Sequence, residues 1–295
     1  MNLAMQLGAN GLVNGVLFAL LAFSFGLAYR SIGIFHVAFG AVIVVAAYTF
    51  SLSANQFGLP WPAALGFGMA GGALASLISE LAIYRLFYRR QASPGVVMVA
   101  SLGFLLLVEN LLAMGLGNRV PIVDRPLGAA FSIGPVTLTS TQVFQASIGG
   151  GVLVLVFLAF TRLRIFSVIR AMGDEPELVP LMGLPLMPYR TFVFLISGLV
   201  GGSAASLIAL DTGAHAQMGM GFLLIAAVAM LAGGIDNYIG WILGGFVLAL
   251  LQSLIVLYTA SEWSGLATFA LLIFILVVRP QGLLGQRKRL EEAAF

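Results

Sequence analysis

The sequence predicts an all-α fold, a polytopic transmembrane bundle of about nine spans, with eight to ten allowed by uncertain boundaries. Three observations predict it. Hydrophobic residues fill 60% of the 295 positions and charged residues only 8%, where a soluble domain carries roughly 25% charged residues. The mean hydropathy is +1.06, so the chain cannot cover a water-facing surface. The apolar runs are about 20 residues long, enough for a helix to cross the hydrocarbon, and lack the ten-residue alternation of a membrane barrel.

Taken in order, the runs place spans near 9–29, 34–53, 61–83, 95–116, 141–161, 189–210, 219–235, 238–259 and 262–278. Arg30 separates the first two, and Arg85, Arg89 and Arg90 follow the third. The stretch 117–140 is the longest external connection and the candidate docking surface on that side. Arg162, Arg164, Arg170 and Arg190 lie between spans five and six. Span seven is short and flanked by glycine, which predicts a broken or re-entrant helix, and Asp236 falls in the tight connection after it as a turn cap. Arg279, Arg287, Lys288 and Arg289 form the tail. With these spans, only Arg119 and Arg125 of the fourteen basic residues fall opposite the rest. The positive-inside rule then puts the N-terminus outside and the C-terminus in the cytoplasm. One domain, 1–295, is expected.

Composition also excludes. Cysteine is absent, which removes disulfides, thiolate nucleophiles and cysteine metal sites. The net charge of +3 fits basic cytoplasmic loops rather than nucleic acid. The first basic residue is Arg30, so no signal peptide is expected. No phosphate loop, H-E-x-x-H or G-x-S-x-G is present. The expectation is a non-enzyme with no cofactor and no metal. Small residues recur four apart at Gly11 and Gly15, Gly68 and Gly72, Gly198 and Gly202, and Gly240 and Gly244. That spacing predicts close helix packing within one bundle.

Polar residues inside spans are the candidates for function. Glu109 and Asn110 sit mid-span in "GFLLLVENLLAMG"; a charge there costs at least about 2.5–3.5 kcal/mol, so it faces the bundle interior, a partner or water. It either lines a pathway or is paired structurally. Glu80 lies near a span end, within reach of Arg85. His36, in "GIFHVAFG", contacts solute, caps a broken helix, or is simply hydrogen-bonded.

One stretch departs from its surroundings: "RAMGDEPELVPLMG", 170–183. Asp174 and Glu177 have capping-box spacing and Pro176 suits a first helical turn. Pro180 then breaks the helix and Gly183 ends it. About two turns are predicted, with Leu178, Leu181 and Met182 free to pack on something.

Several segments together resemble the LivH-type permease subunits of branched-chain amino-acid ABC transporters. "NGVLFALLAFSFGLAYRSIGIFHVAFG", "ELAIYRLFYRR", "RAMGDEPELVPLMG", "MGMGFLLIAAVAMLAGGIDNYIGWILGG" and "RPQGLLG" occur in the family's order, nearly end to end. His36 stands where the family's polar turn has Asn, Phe39 where it has His, Glu109 where Gln is common, and Pro180 where Ala is usual. The resemblance implies a subunit of a cytoplasmic (inner) membrane importer of a small polar solute. Its implied partners are a second, LivM-like permease, two cytoplasmic ABC ATPases, an extracytoplasmic solute-binding protein and membrane lipid. It also implies that the loop near 162–189 couples to an ATPase through Arg170, Gly173, Asp174, Glu175, Glu177, Leu181, Met182 and Gly183. His36, Phe39, Glu109 and Asn110 would line the translocation pathway. Branched-chain or related amino acids are the expected solute; sugar, urea or amide permeases of the same superfamily, and a stand-alone proton-coupled transporter using Glu109, are the alternatives.

Overall fold

The computed structural model describes residues 2–117, 131–133, 136–174, 178–258, 263–279 and 281–285. Arg119, Arg125, Glu175, Pro176, Glu177, Arg287, Lys288 and Arg289 lie outside them. The described chain is helical apart from one short hairpin. Its elements are α1 Asn2–Ile32, α2 Phe39–Asn55, α3 Trp61–Ser79, a π-helical turn Glu80–Tyr84 and α4 Arg85–Arg89. Next come α5 Pro94–Leu116, the antiparallel strands β1 Phe131–Ile133 and β2 Val136–Leu138, and α6 Ser140–Arg162. The rest are α7 Arg164–Asp174, α8 Leu178–Leu181, α9 Leu186–Thr212, α10 Met218–Gly233, α11 Tyr238–Tyr258 and α12 Ser264–Val278.

Six helical stretches among the described residues are long and apolar enough to cross a membrane: Leu3–Ile32, Trp61–Arg89, Pro94–Leu116, Ser140–Arg162, Leu186–Thr212 and Tyr238–Tyr258. Helices α2, α10 and α12 occupy the other three expected spans but have only 17, 16 and 15 residues, short of the roughly 20 that a full crossing takes. The reason for α2 is local. The expected span begins at 34, but Gly33 has φ 67 and the chain runs through a non-helical connection before helix resumes at Phe39. Helix α10, expected to be broken, is continuous from Met218 to Gly233.

Burial sorts the helices into layers. Side chains of α1, α2, α9 and α10 fill the core, with Leu20, Phe23, Phe39, Ile43, Ala204 and Leu223 fully enclosed. The outer helices keep large apolar groups exposed: Val99 and Leu107 on α5, Leu155 on α6, Val277 on α12. In a soluble protein this would be an aggregation surface; here it is the face offered to lipid or to another subunit.

Small residues bring the inner helices together. A Cβ on Gly72 of α3 would stand 2.6 Å from the Gly198 carbonyl of α9, and one on Gly198 would stand 2.6 Å from Gly72 O. The Gly68/Gly72 and Gly198/Gly202 pairs therefore face each other across one seam. Gly11 and Gly15 do the same service against Ser253 and Phe246 of α11, and Gly240 and Gly244 against Gly233 and Ala229 of α10. Serines bridge the close crossings: Ser24 Oγ donates to Ser197 O at 2.6 Å and Ser197 Oγ returns to Ser24 O at 2.9 Å. With no hydrophobic force between helices in lipid, close packing and such bonds hold the bundle.

The two ends of α1 define the two ends of the molecule. At its start, Gln6 accepts from Thr137 N and donates to Thr137 O, both at 2.8 Å, extending the edge of the hairpin. Thr139 and Gln142 form a capping box that opens α6 beside it. At the other end of α1 lie Arg30, α7, the α10–α11 turn and the C-terminal segment, where Leu283 N bonds to Ala232 O. The N-terminus and residues 281–285 thus sit at opposite ends. Every described arginine belongs to an element that begins or ends at the Arg30 end.

The glycine seam makes a direct prediction. Gly198→Leu forces a side chain into facing backbone and should cost about 1–3 kcal/mol or more of packing strain. Gly66→Leu, where a Cβ meets nothing within 4 Å, should be silent. Melting of the two purified variants in detergent checks this, and equal Tm values would mean the seam is looser than drawn.

Candidate functional site

Two polar constellations stand out in an apolar bundle, one on the surface of the arginine-rich end and one buried beneath it. The surface one is built on Arg30, the last charged residue of α1. Its Nη2 pairs with the Asp174 carboxylate at the end of α7, and its Nη1 donates to the Asp236 backbone carbonyl at 3.0 Å. The Asp236 carboxylate is 3.8 Å away. Gly173 is needed for this arrangement, since a Cβ there would stand 2.7 Å from Arg30 Nε. One guanidinium thereby joins α1, α7 and the α10–α11 turn.

Helix α7 is amphipathic, and Phe166, Ile169 and Met172 point into the bundle at three-residue spacing. Phe166 packs on the Phe160 ring with centroids 5.0 Å apart. Arg170 turns inward as well, its guanidinium 5.7 Å from the Phe160 ring and 6.0 Å from that of Tyr238. Past α7 the chain returns through α8, whose Val179 is buried. It then presents Leu181 and Met182, 82% and 72% exposed, before Gly183 turns it with φ 76. Two large apolar side chains thus stand exposed side by side among the described residues.

The buried constellation lies under the α1–α2 connection. His36 Nδ1 is 2.7 Å from the Tyr84 hydroxyl, and its ring is packed among Phe39, Tyr84 and Phe194. Nε2 of His36 is buried without a partner. Tyr84 closes the π-helical turn that Glu80 opens; one extra residue per turn re-aims side chains, and such bulges recur at functional sites. Glu80 is fully buried and accepts from Arg190 Nε at 3.2 Å and Nη2 at 3.1 Å, both on Oε2. The Arg190 guanidinium also sits 5.3 Å over the Tyr88 ring. Further along, Glu109 reaches the crossing of α2 and α10: a Cβ on Gly219 would stand 2.7 Å from Gly40 O and 3.0 Å from Glu109 Oε1. That oxygen is buried and unpartnered. This is ion-handling and packing chemistry; among the described residues no group of three potential ligands could hold a metal.

Comparison with known proteins gives the context. Residues 8–276 match the family model described as branched-chain amino acid transport system, permease component. The chain belongs to this family. It is 25% identical to the high-affinity branched-chain amino acid transport system permease protein LivH of Escherichia coli (strain K12), covering 94% of both chains. It is 24% identical to BraD, the corresponding permease protein of Pseudomonas aeruginosa, again over 94% of each. A probable LivH of Methanocaldococcus jannaschii is 23% identical over 91% of this chain and 89% of its own. Among solved structures, PsaBC from Streptococcus pneumoniae in complex with Fab aligns with 92% of this chain and 91% of its own at TM-score 0.51 and 15% identity, a likeness of fold alone. The chain is a multi-pass membrane permease, and this is a transport family.

Within the permease, the expected site residues divide. His36 and Phe39 come together but are fully enclosed, Phe39 stacking edge-on to Phe25. Glu109 lies near the first turn of α2, while Asn110 is exposed and donates to Leu106 O of its own helix. Asp174 is the last described residue of α7, and its carboxylate pairs with Arg30; the expected capping pair with Glu177 lies outside the described residues. Glu175 and Glu177 fall outside the described residues. Gly183 has the expected positive φ. Glu80, expected within reach of Arg85, forms its ion pair with Arg190 of α9. One further reading changes. The turn after α10 is capped by Asn237, whose Oδ1 accepts from Ile239 N and Gly240 N, and Asp236 instead faces Arg30. Sequence reasoning misses Arg30, though it singles out Gly173 and Asp174, which meet Arg30 from the opposite element.

The Glu80–Arg190 pair yields a stability prediction. Arg190→Met alone strands a buried carboxylate and should cost about 3–5 kcal/mol, whereas Arg190→Met with Glu80→Met should recover most of it. A double-mutant cycle on detergent melting measures the coupling; additive losses would mean the two charges do not see each other.

Proposed function

We propose that this permease is one membrane subunit of an ABC importer for branched-chain amino acids, with its arginine-rich end in the cytoplasm. The reading is carried by one observation: the amphipathic helix α7, paired with Arg30 through Asp174, is followed by the exposed apolar side chains Leu181 and Met182. A solvated linker needs neither. An apolar knob on a rigid mount is what docking into a partner's cleft requires. The partner is a cytoplasmic ATPase subunit, and the docking element is α7 through Gly183, including Gly173 and Asp174 and the undescribed Glu175 and Glu177. Arg170 holds the mount to the bundle.

Two ATPases, a second LivM-like permease and an extracytoplasmic solute-binding protein complete the assembly. The exposed apolar faces of α5, α6 and α12 supply area for lipid and for the second permease. Orientation follows the positive-inside rule, with the N-terminus outside. Closure of the ATPases pushes on the docking tip; Arg30 passes the motion to α1 and to the α10–α11 turn together. His36, Phe39, Glu109 and Asn110 are proposed to border the solute route, with His36 and Phe39 forming its closed section. Glu109, whose buried oxygen lacks a partner, is then exposed to solute when α2 and α10 part.

The test replaces Leu181 with Asp. At 82% exposure the change leaves the isolated fold alone, but it places a charge in the docking contact, where an unpaired buried charge is expensive. The variant should insert and melt like the wild type yet lose ATPase subunits on co-purification. Retention of the ATPases with normal solute-stimulated hydrolysis would remove the tip from the contact.

A further inference from the structure

A cavity of about 330 Å³ opens at the arginine-rich end, between the α1–α2 connection, the π turn, the α4–α5 turn and the start of α9. Its walls differ in chemistry. Ile32, Ile34 and Val97 make an aliphatic side, Tyr84 and Tyr88 an aromatic one, and Arg190 supplies the cation. The cation is not a solvated surface group. Arg190 is 4% exposed, its position fixed by two bonds to Glu80 and by the Tyr88 ring. A guanidinium carries five N–H donors. Nε and Nη2 are spent on Glu80 Oε2, which leaves Nη1 outside the ion pair, in a side chain that lines the cavity.

Gln91 shapes the mouth. It adopts φ 49, and Ala92 N returns to Phe87 O at 3.1 Å, so the chain doubles back and α5 runs beside the π turn and α2. The volume lies at the small end of the roughly 300–1,000 Å³ range for small-molecule sites. One fixed cation next to a short aliphatic wall fits a small monocarboxylate with a branched aliphatic chain. A phospholipid would need a long apolar track for its acyl chains, and the aliphatic wall here consists of Ile32, Ile34, Ala92 and Val97 alone.

We propose that this cavity is a solute site on the cytoplasmic side of the permease, in which Arg190 holds the carboxylate of a branched-chain amino acid and Ile32, Ile34 and Val97 hold its side chain. The proposal rests on the importer reading for the identity of the solute and for which side is cytoplasmic. The site is reached after the closed section at His36 and Phe39, because Tyr84 touches His36 on one side and lines the cavity on the other. Solute passing that section meets Arg190 before bulk water, and solute accumulated in the cytoplasm refills the same site.

The absence of cysteine allows a site-specific test. Ala92→Cys places a single thiol on the cavity wall, and Ser167→Cys places one on exposed α7 as a control. Maleimide labelling is followed on the assembled complex without nucleotide, with L-leucine, 4-methylpentanoate or isoamylamine as probes. The two carboxylates should protect the thiol of the Ala92→Cys variant, while isoamylamine, which has only the ammonium, should not. At ten times Kd the labelling rate should fall about tenfold, following the free fraction of a single site. Arg190→Lys combined with Ala92→Cys keeps the charge but not the fork, and should need higher carboxylate concentrations for the same protection. Tyr88→Cys, half-exposed at the same cavity, repeats the measurement should Ala92→Cys assemble poorly.

Unprotected thiols at both cavity positions, equal protection by isoamylamine, or protection by phosphatidylglycerol vesicles in place of the carboxylates would each overturn the proposal. Labelling needs no turnover. A complex that imports solute but shows no protection loses only the cavity site, and one that is protected but never imports loses the importer reading.

Discussion

The guanidinium of Arg30 is the point on which the arrangement of the arginine-rich end depends. It lies in the last turn of α1, and it is the place where α7 and the α10–α11 turn meet that helix. Its worth is not mainly in stability. Asp174 is 58% exposed, and ion pairs open to water contribute about 0–1 kcal/mol. The contribution is geometric: a cation 12% exposed, pressed against the backbone at Gly173, sets the distance between a surface element and the core. The C-terminal segment joins the same knot through Leu283 N to Ala232 O and Leu284 N to Gly233 O. Under the proposed docking role, motion of α7 reaches α1 and the α10–α11 turn through these polar contacts, and α6 through the packing of Phe166 and Arg170 on Phe160.

The opposite strategy holds the interior. Charges there cost several kcal/mol each unless paired, and the core helices instead use glycine, alanine and serine at crossings. Glu80, Arg190 and Glu109 are exceptions among the described residues, and Glu80 sits where the π turn interrupts the regular helix. His36 and Tyr84 lie within the same few ångströms of aromatic packing. π turns recur at functional sites, which is consistent with the proposed role of this region.

Much of this is legible in the sequence. The helical class, the outer spans and the glycine pairs follow from composition and spacing, because in lipid a backbone has few alternatives to helix. The Leu181–Met182 tip and the left-handed turn at Gly183 are legible too, since apolar residues next to a glycine stop are a local signal. What is not legible is tertiary. Helix α7 is easily passed over because eleven residues with Phe166, Ile169 and Met172 inward look weak beside spans twice as long. Asp174 reads as a helix start because the capping spacing to Glu177 is local, while its partner Arg30 is 144 residues away. The pairing of Glu80 with Arg190 is hidden for the same reason, since the two are 110 residues apart. Nor can spacing alone tell that α2 begins only at Phe39, placing His36 in a connection and not in a span.

The central claim is that α7 and its tip drive the bundle through Arg30. The most direct measurement is uptake of L-leucine per ATP hydrolysed by the complete transporter in reconstituted vesicles, comparing wild type with Arg30→Gln. The variant keeps the Leu181–Met182 tip and the bundle, so ATPases should still co-purify and hydrolysis should continue, while uptake per ATP falls far below wild type. Wild-type uptake per ATP in Arg30→Gln would contradict the account and leave the knot at Arg30 as a structural tether.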